Sequence, residues 1–116
     1  MADKKLYEDA MVVLDKIIEK NTDLVAEAYS KKGECYIIPA QDIVEENSNL
    51  NLDDPKYNAN EAKIKEYYEK AKPLFEKARD LKPDNNKLWG QALLAIYWKL
   101  NKSEYESLAK EMGLDL

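Results

Sequence analysis

The stretch Ala71-Lys72-Pro73-Leu74-Phe75-Glu76-Lys77-Ala78-Arg79-Asp80-Leu81-Lys82-Pro83, with Trp89 six residues further on, decides how this chain is read. Ala71, Phe75, Ala78 and Pro83 stand at offsets of four, three and five. On a helix, the offsets of four and three place Ala71, Phe75 and Ala78 on one stripe, which Leu74 and Leu81 widen into an apolar face. The two small alanines let a neighbouring helix approach closely, and Phe75 fills the space between them. Pro83 has no N–H to donate and biases Lys82 away from helical geometry, so the helix stops there.

Toward the C-terminus, Leu88, Trp89, Ala92, Leu93, Ile96, Tyr97 and Leu100 are apolar at the helical period. They predict a helix, capped by Asp84 or Asn85, that packs antiparallel to the Phe75 helix. Ser103 with Glu106 three residues later reads as a capping box opening a last helix, and Gly113 after Met112 as its stop. Toward the N-terminus, Ala10, Leu14 and Ile17 repeat the offsets of Ala71, Phe75 and Ala78, with Thr22 in the place of Pro83. A second helix start follows, in which Ala26 and Ala28 precede Tyr29, Gly33 and Tyr36.

These spacings resemble the tetratricopeptide repeat. Tyr29 stands in its tryptophan-like place, Gly33 and Tyr36 follow at its usual offsets, and Trp89 begins the next copy. Between Tyr36 and Ala71 the chain carries roughly 25 residues beyond the repeat length. With that insertion, residues 24 to 112 resemble the C-terminal portion of tetratricopeptide proteins of Bacteroidetes, whose last repeat has lengthened helices before a segment like Tyr67 to Ala78. Departures are Lys32 where the pattern prefers Leu, Leu93 where it expects Gly, and a terminal Tyr105 helix without the small-residue stripe. End repeats are atypical, which accounts for the last of these. The resemblance implies an all-α fold over a single domain, residues 1–116. Antiparallel helix pairs would form a short right-handed solenoid, with the insertion lengthening two central helices.

Length and composition fit this. A chain of 116 residues with 35% charged and 45% hydrophobic residues suits one amphipathic helical domain, and three glycines and four prolines leave few breakpoints. The net charge of −5 comes without a basic run, which disfavours nucleic acid. The longest apolar run, Ala92 to Trp98, is too short to span a bilayer, and Met1-Ala2-Asp3-Lys4-Lys5 carries no signal-peptide core. The expected location is therefore cytoplasmic, or the cell envelope or periplasm if the chain is a mature form or fragment. Cys35, the single cysteine, allows no internal disulfide and reads as an inert, buried or half-buried thiol.

Within the insertion, Ile37, Ile38, Ile43 and Val44 continue the Tyr29 helix, which Pro39 should kink or end near Ile38. Pro73 raises the same question in the next helix. The run of Ile64, Tyr67, Tyr68, Ala71, Leu74 and Phe75 favours one helix bent near Glu69. Residues 47–58, rich in turn formers, read as the loop tip. Asn47, Asn49, Asn51 and Asp53 alternate like the early ligands of a calcium loop. No Gly follows at the sixth place, however, and Asn58 stands at the twelfth, so a solvated hairpin tip is expected and no metal.

The chain has no histidine, Gly-rich phosphate loop or metal-ligand spacing, so no catalytic residue and no cofactor is assigned. The repeat resemblance instead implies a protein–protein interaction scaffold whose inner face binds a protein or peptide. Its inner-face positions fall on Glu27, Ser30, Glu34, Ile37 and Ile38, and on Lys87, Gly90, Leu94, Tyr97 and Trp98. Of these, Ile37, Leu94, Tyr97 and Trp98 would supply an apolar patch, and Glu27 and Glu34 would attract basic residues. The competing reading packs Trp98 against Tyr105 or Leu108. The clamp some tetratricopeptide domains use for C-terminal carboxylates is missing, since Ser30 and Glu34 occupy its places. Two other functions stay open. One is a self-associating solenoid segment, a homodimer formed through Leu6, Tyr7, Met11 and Leu14; the other, more remote, is a small carboxylate-dependent enzyme built in the insertion.

Overall fold

The computed structural model describes residues 4–20 and 23–113, with side chains from Glu8 onward. Five helices follow one another: α1 (Lys4–Glu19), α2 (Val25–Asn47), α3 (Pro55–Leu81), α4 (Gly90–Leu100) and α5 (Lys102–Glu111), with a 3-10 turn at Asn86–Leu88. The described residues contain no strand. Each helix packs against the next. The side chains of Leu6 and Tyr7, and Thr22 as a whole, lie outside the described residues.

Side-chain bonds fix the directions. Lys82 at the end of α3 reaches Glu27 at the start of α2, at 2.5 Å, while Asn60 near the start of α3 meets Asn47 at the end of α2, at 2.8 Å. These two helices are therefore antiparallel along their whole length. Lys32 of α2 pairs with Asp15 of α1 at 2.6 Å, which gives the departure from Leu at that position a role in joining the two helices. The pairs Lys72–Glu104 and Arg79–Glu111 share one register, so α5 runs parallel to α3, with α4 packed against both.

The core lies where the opening stretch points. Ala71, Phe75 and Ala78 are buried together with Trp89, Leu93, Ile96, Tyr97 and Leu108. Leu74 is half-buried, whereas Leu81 is exposed. The Trp89 indole N–H donates to the Lys82 carbonyl at 3.0 Å, and so satisfies backbone at the end of α3 where Pro83 offers no donor. The Ser30 hydroxyl donates to the Leu88 carbonyl at 2.6 Å, tying α2 to the 3-10 turn.

Both internal prolines stand inside continuous helices. The expectation that Pro39 ends its helix near Ile38 is not met. Each proline removes one helical hydrogen bond, at a cost of about 3 kcal/mol in a helix interior, and the long α2–α3 contact offsets it. Pro73 is exposed, and Pro39 borders a groove.

Several boundaries differ from expectation. The loop tip is shorter than 47–58, because α2 includes Asn47 and α3 starts at Pro55. The Asp54 side chain accepts from the Lys56 N–H, and Pro55 fits the first helical turn. Helix α4 begins at Gly90 rather than at Leu88, and Asn85 caps the preceding 3-10 turn without a side-chain bond. Ser103 and Glu106 form no capping box. Asn101, extended at φ −156, accepts from the Ser103 and Glu104 N–H groups and opens α5 one residue later. Gly113 has φ 78, as a helix stop requires, and its N–H donates to the Lys110 carbonyl.

Candidate functional site

The residues singled out for partner binding do not form one patch. Tyr97 is a correction: only 4% exposed, it belongs to the core, and its hydroxyl donates to Glu76 at 2.7 Å. Burial and the Glu76 carboxylate both push the phenol's pKa up. Leu94 and Ile37 are half-buried against the same core cluster. Ser30 is buried, and Gly90 is covered by the Met112 side chain. Trp98 meets the competing reading halfway. Its ring lies 5.1 Å from that of Tyr105, edge to face, and Lys102 sits 5.0 Å above it, yet the residue is 56% exposed.

Glu27 is also not free. Its Oε1 binds Lys82, and this hydrogen bond holds the carboxyl below the usual range; its buried Oε2 has no partner among the described residues. Glu34 is half-buried and pairs with Lys31 at 3.3 Å. Glu27 thus serves the start of the α2–α3 hairpin, while Trp98 stands near the end of α4.

A larger opening lies elsewhere. Between α1 and the α2–α3 hairpin, a groove of about 830 Å³ runs toward the hairpin tip. Tyr36 and Ile43 of α2, Tyr67 and Asn60 of α3, and Met11 in the middle of α1 line it. On α2, Cys35, Pro39, Asp42 and Glu46 share the outward stripe next to Tyr36 and Ile43. On α3 the corresponding edge carries Lys56, Lys63 and Lys70, each two turns from the next. The α2 edge is thus anionic and the α3 edge mainly cationic, with Glu66 standing beside Lys70 on it, and an aromatic and aliphatic floor lies between.

At the tip, Lys56 reaches across to Glu46 at 2.6 Å and closes that end. Its hydrogen bond lowers the Glu46 pKa, and Glu46 in turn raises that of Lys56. The Cys35 thiol is pushed up by burial and by the neighbouring Glu34. It is half-buried, as the sequence suggested.

The tip is braced from inside. The Asn60 amide donates to the Asn47 Oδ1, and the Asn47 amide donates to the Tyr57 carbonyl at 3.2 Å and to Glu61 at 3.3 Å. Asn47, the first residue of the apparent calcium alternation, is therefore turned inward and 5% exposed. Among the described residues no group of His, Cys, Asp and Glu converges as a metal site. Glu61 also pairs with Lys99, which ties the insertion to α4. A smaller cleft of about 360 Å³ between α3 and α5 is spanned by the Arg79–Glu111 pair and walled by Tyr97 and Glu76.

Sequence reading missed the groove, although one signal was present: Lys56, Lys63 and Lys70 recur every seven residues beside Asn60 and Tyr67. Such a stripe looks like any solvated helix face until the opposite wall is known.

No described helix is long and apolar enough to cross a membrane. Comparison with protein-family models, with curated proteins and with solved structures gives no significant match.

Proposed function

We propose that the chain is a non-catalytic, tetratricopeptide-like interaction module that holds a helical segment of a protein partner. The observation that carries this reading is the groove between α1, α2 and α3, with its unfilled floor of Met11, Tyr36, Ile43 and Tyr67. Supporting the repeat architecture are the consecutive antiparallel packing, the buried Ala71–Phe75–Ala78 stripe and the seating of Phe75 on Gly33. A groove between packed helices, apolar at depth and polar at its edges, suits the apolar face of another helix. From Cys35 to Glu46 it offers about 16 Å, roughly three turns.

Labelled, hydrocarbon-stapled amphipathic peptides of about four turns, with a leucine stripe and neutral flanks, test this. Fluorescence anisotropy should show saturable binding, and bound peptide should slow the reaction of Cys35 with a thiol reagent, because Cys35 lines the groove. No binding, or binding that leaves Cys35 equally reactive, would remove the groove from the proposal.

Val12 and Val13 support a second reading, self-association. They are 55% and 57% exposed on α1. Light scattering across a concentration range separates a monomer from a dimer formed through that face.

A further inference from the structure

We infer that the groove selects a helix by charge, taking an amphipathic segment with carboxylates along one flank and basic side chains along the other. This rests on the groove being the partner site, and adds what that partner must look like. Asp42 and Lys63 mark the middle of the two edges. Glu46 pairs with Lys56 and Asn47 with Asn60, so Asp42 and Lys63 stand at matching heights on opposite edges. No ion pair joins them, and neither has another ion-pair partner among the described residues, whereas Lys56 and Lys70 are paired. Lys63 acts on the Glu46 carboxylate from a distance, but among the described residues no carboxylate binds it directly. A helix lying between them meets a cation on the α3 side and an anion on the α2 side.

The rest of the edge repeats this asymmetry. Lys63 and Lys70 stand seven residues apart, so carboxylates two turns apart on the partner's flank meet them in register, while Lys56 stays on Glu46. Lys70 is held only by the solvent-exposed Glu66 one turn away, a contact that a partner carboxylate exchanges at little cost. Opposite them, Asp42 faces the partner's basic residues, while Glu46 is held by Lys56 and marks the closed end.

Helix α1 shows what this surface accepts. It packs on the near part of α2, with Ala10, Met11, Leu14 and Ile17 partly buried and the Asp15 carboxylate on Lys32. Glu8 and Met11 border the groove, so α1 forms part of its wall. Helix α1 is thus a precedent for an apolar helix face on this surface, although its Asp15 carboxylate meets a lysine of α2, the reverse of the charge order further along.

Three stapled peptides sharing one leucine stripe provide the test: Glu on one flank and Lys on the other, Glu on both, and Lys on both. At low salt the mixed peptide should bind about tenfold tighter than either single-sign peptide, with the gap closing as salt rises. The Lys63→Glu variant, altered at an exposed position, should shift preference to the peptide with lysine on both flanks. Equal binding by all three peptides would overturn the charge reading while leaving the groove as a site. Failure of all three to bind would instead overturn the site itself. Should the unlabelled protein protect its own Cys35 with rising concentration while the peptides do not, a second copy is the occupant and the partner reading falls.

Discussion

The ring of Phe75 lies directly on the backbone of Gly33, where an added Cβ would stand 2.3 Å from the Phe75 Cε2. Phe75 is 1% exposed and cannot swing away, so α2 and α3 are held at a distance only glycine allows. Replacing a mid-helix glycine with alanine ordinarily gains about 1 kcal/mol in helix propensity. Overpacking costs about 1–3 kcal/mol, and here it should win. Gly33→Ala is expected to lower the urea midpoint, and a smaller residue at position 75 in the same variant should recover part of the loss. Gly90 is the contrast. An added Cβ there meets the flexible end of Met112 at 2.8 Å, so Gly90→Ala should be neutral or stabilising.

Tyr97 and Trp98 are neighbours in sequence with opposite environments, one core and one more than half exposed. Tyr97→Ala should cost about 3–5 kcal/mol by leaving a cavity, and Tyr97→Phe about 1 kcal/mol through the lost bond to Glu76. Trp98→Ala loses mainly an edge contact with Tyr105 and should cost about 1 kcal/mol. Emission spectra check the assignment independently. Trp98→Phe leaves the buried Trp89 and should shift the emission to the blue, whereas Trp89→Phe should shift it to the red.

The core around Phe75 was legible because small and large residues alternate there at a helical period. Helix α4 was less so. Leu93, Leu94, Ile96, Tyr97 and Trp98 make it apolar on most sides, so periodicity alone cannot say which residues α5 covers. The tip was misjudged for a related reason. Asparagine is a turn former by propensity, yet Asn47 and Asn60 satisfy each other inside a helix pair, and only the pairing of α2 with α3 brings them together. The groove edges were invisible because their charges become a site only when two distant stripes face one another.

The Asn47–Asn60 bond makes the hairpin tip a local unit. Asn60→Ala removes the donor to the buried Asn47 Oδ1, which should cost about 1–3 kcal/mol. The loss should concentrate at the tip. Hydrogen exchange is expected to rise around the α2 end and the α3 start while the Phe75 core keeps its protection. Uniform loss of protection would mean that the tip and core unfold together.

Two ion pairs set an acid limit on stability. Lys82 lowers the pKa of Glu27, and Lys99 that of Glu61, both from an ordinary value of 4.5. A carboxyl with a lowered folded pKa releases its proton more readily in the fold, so its contribution is fully present above about pH 4.5. It disappears as pH falls through the lower folded value. Glu27→Gln and Glu61→Gln should each lower stability near neutral pH by up to about 1 kcal/mol, since both pairs are partly exposed. Urea midpoints followed from about pH 7 down to about pH 3 should show each variant's gap to the parent narrowing once the pH falls below about 4.5, as the parent carboxyls begin to take up protons. A gap that stays constant between the two would show that the glutamates act through packing rather than charge.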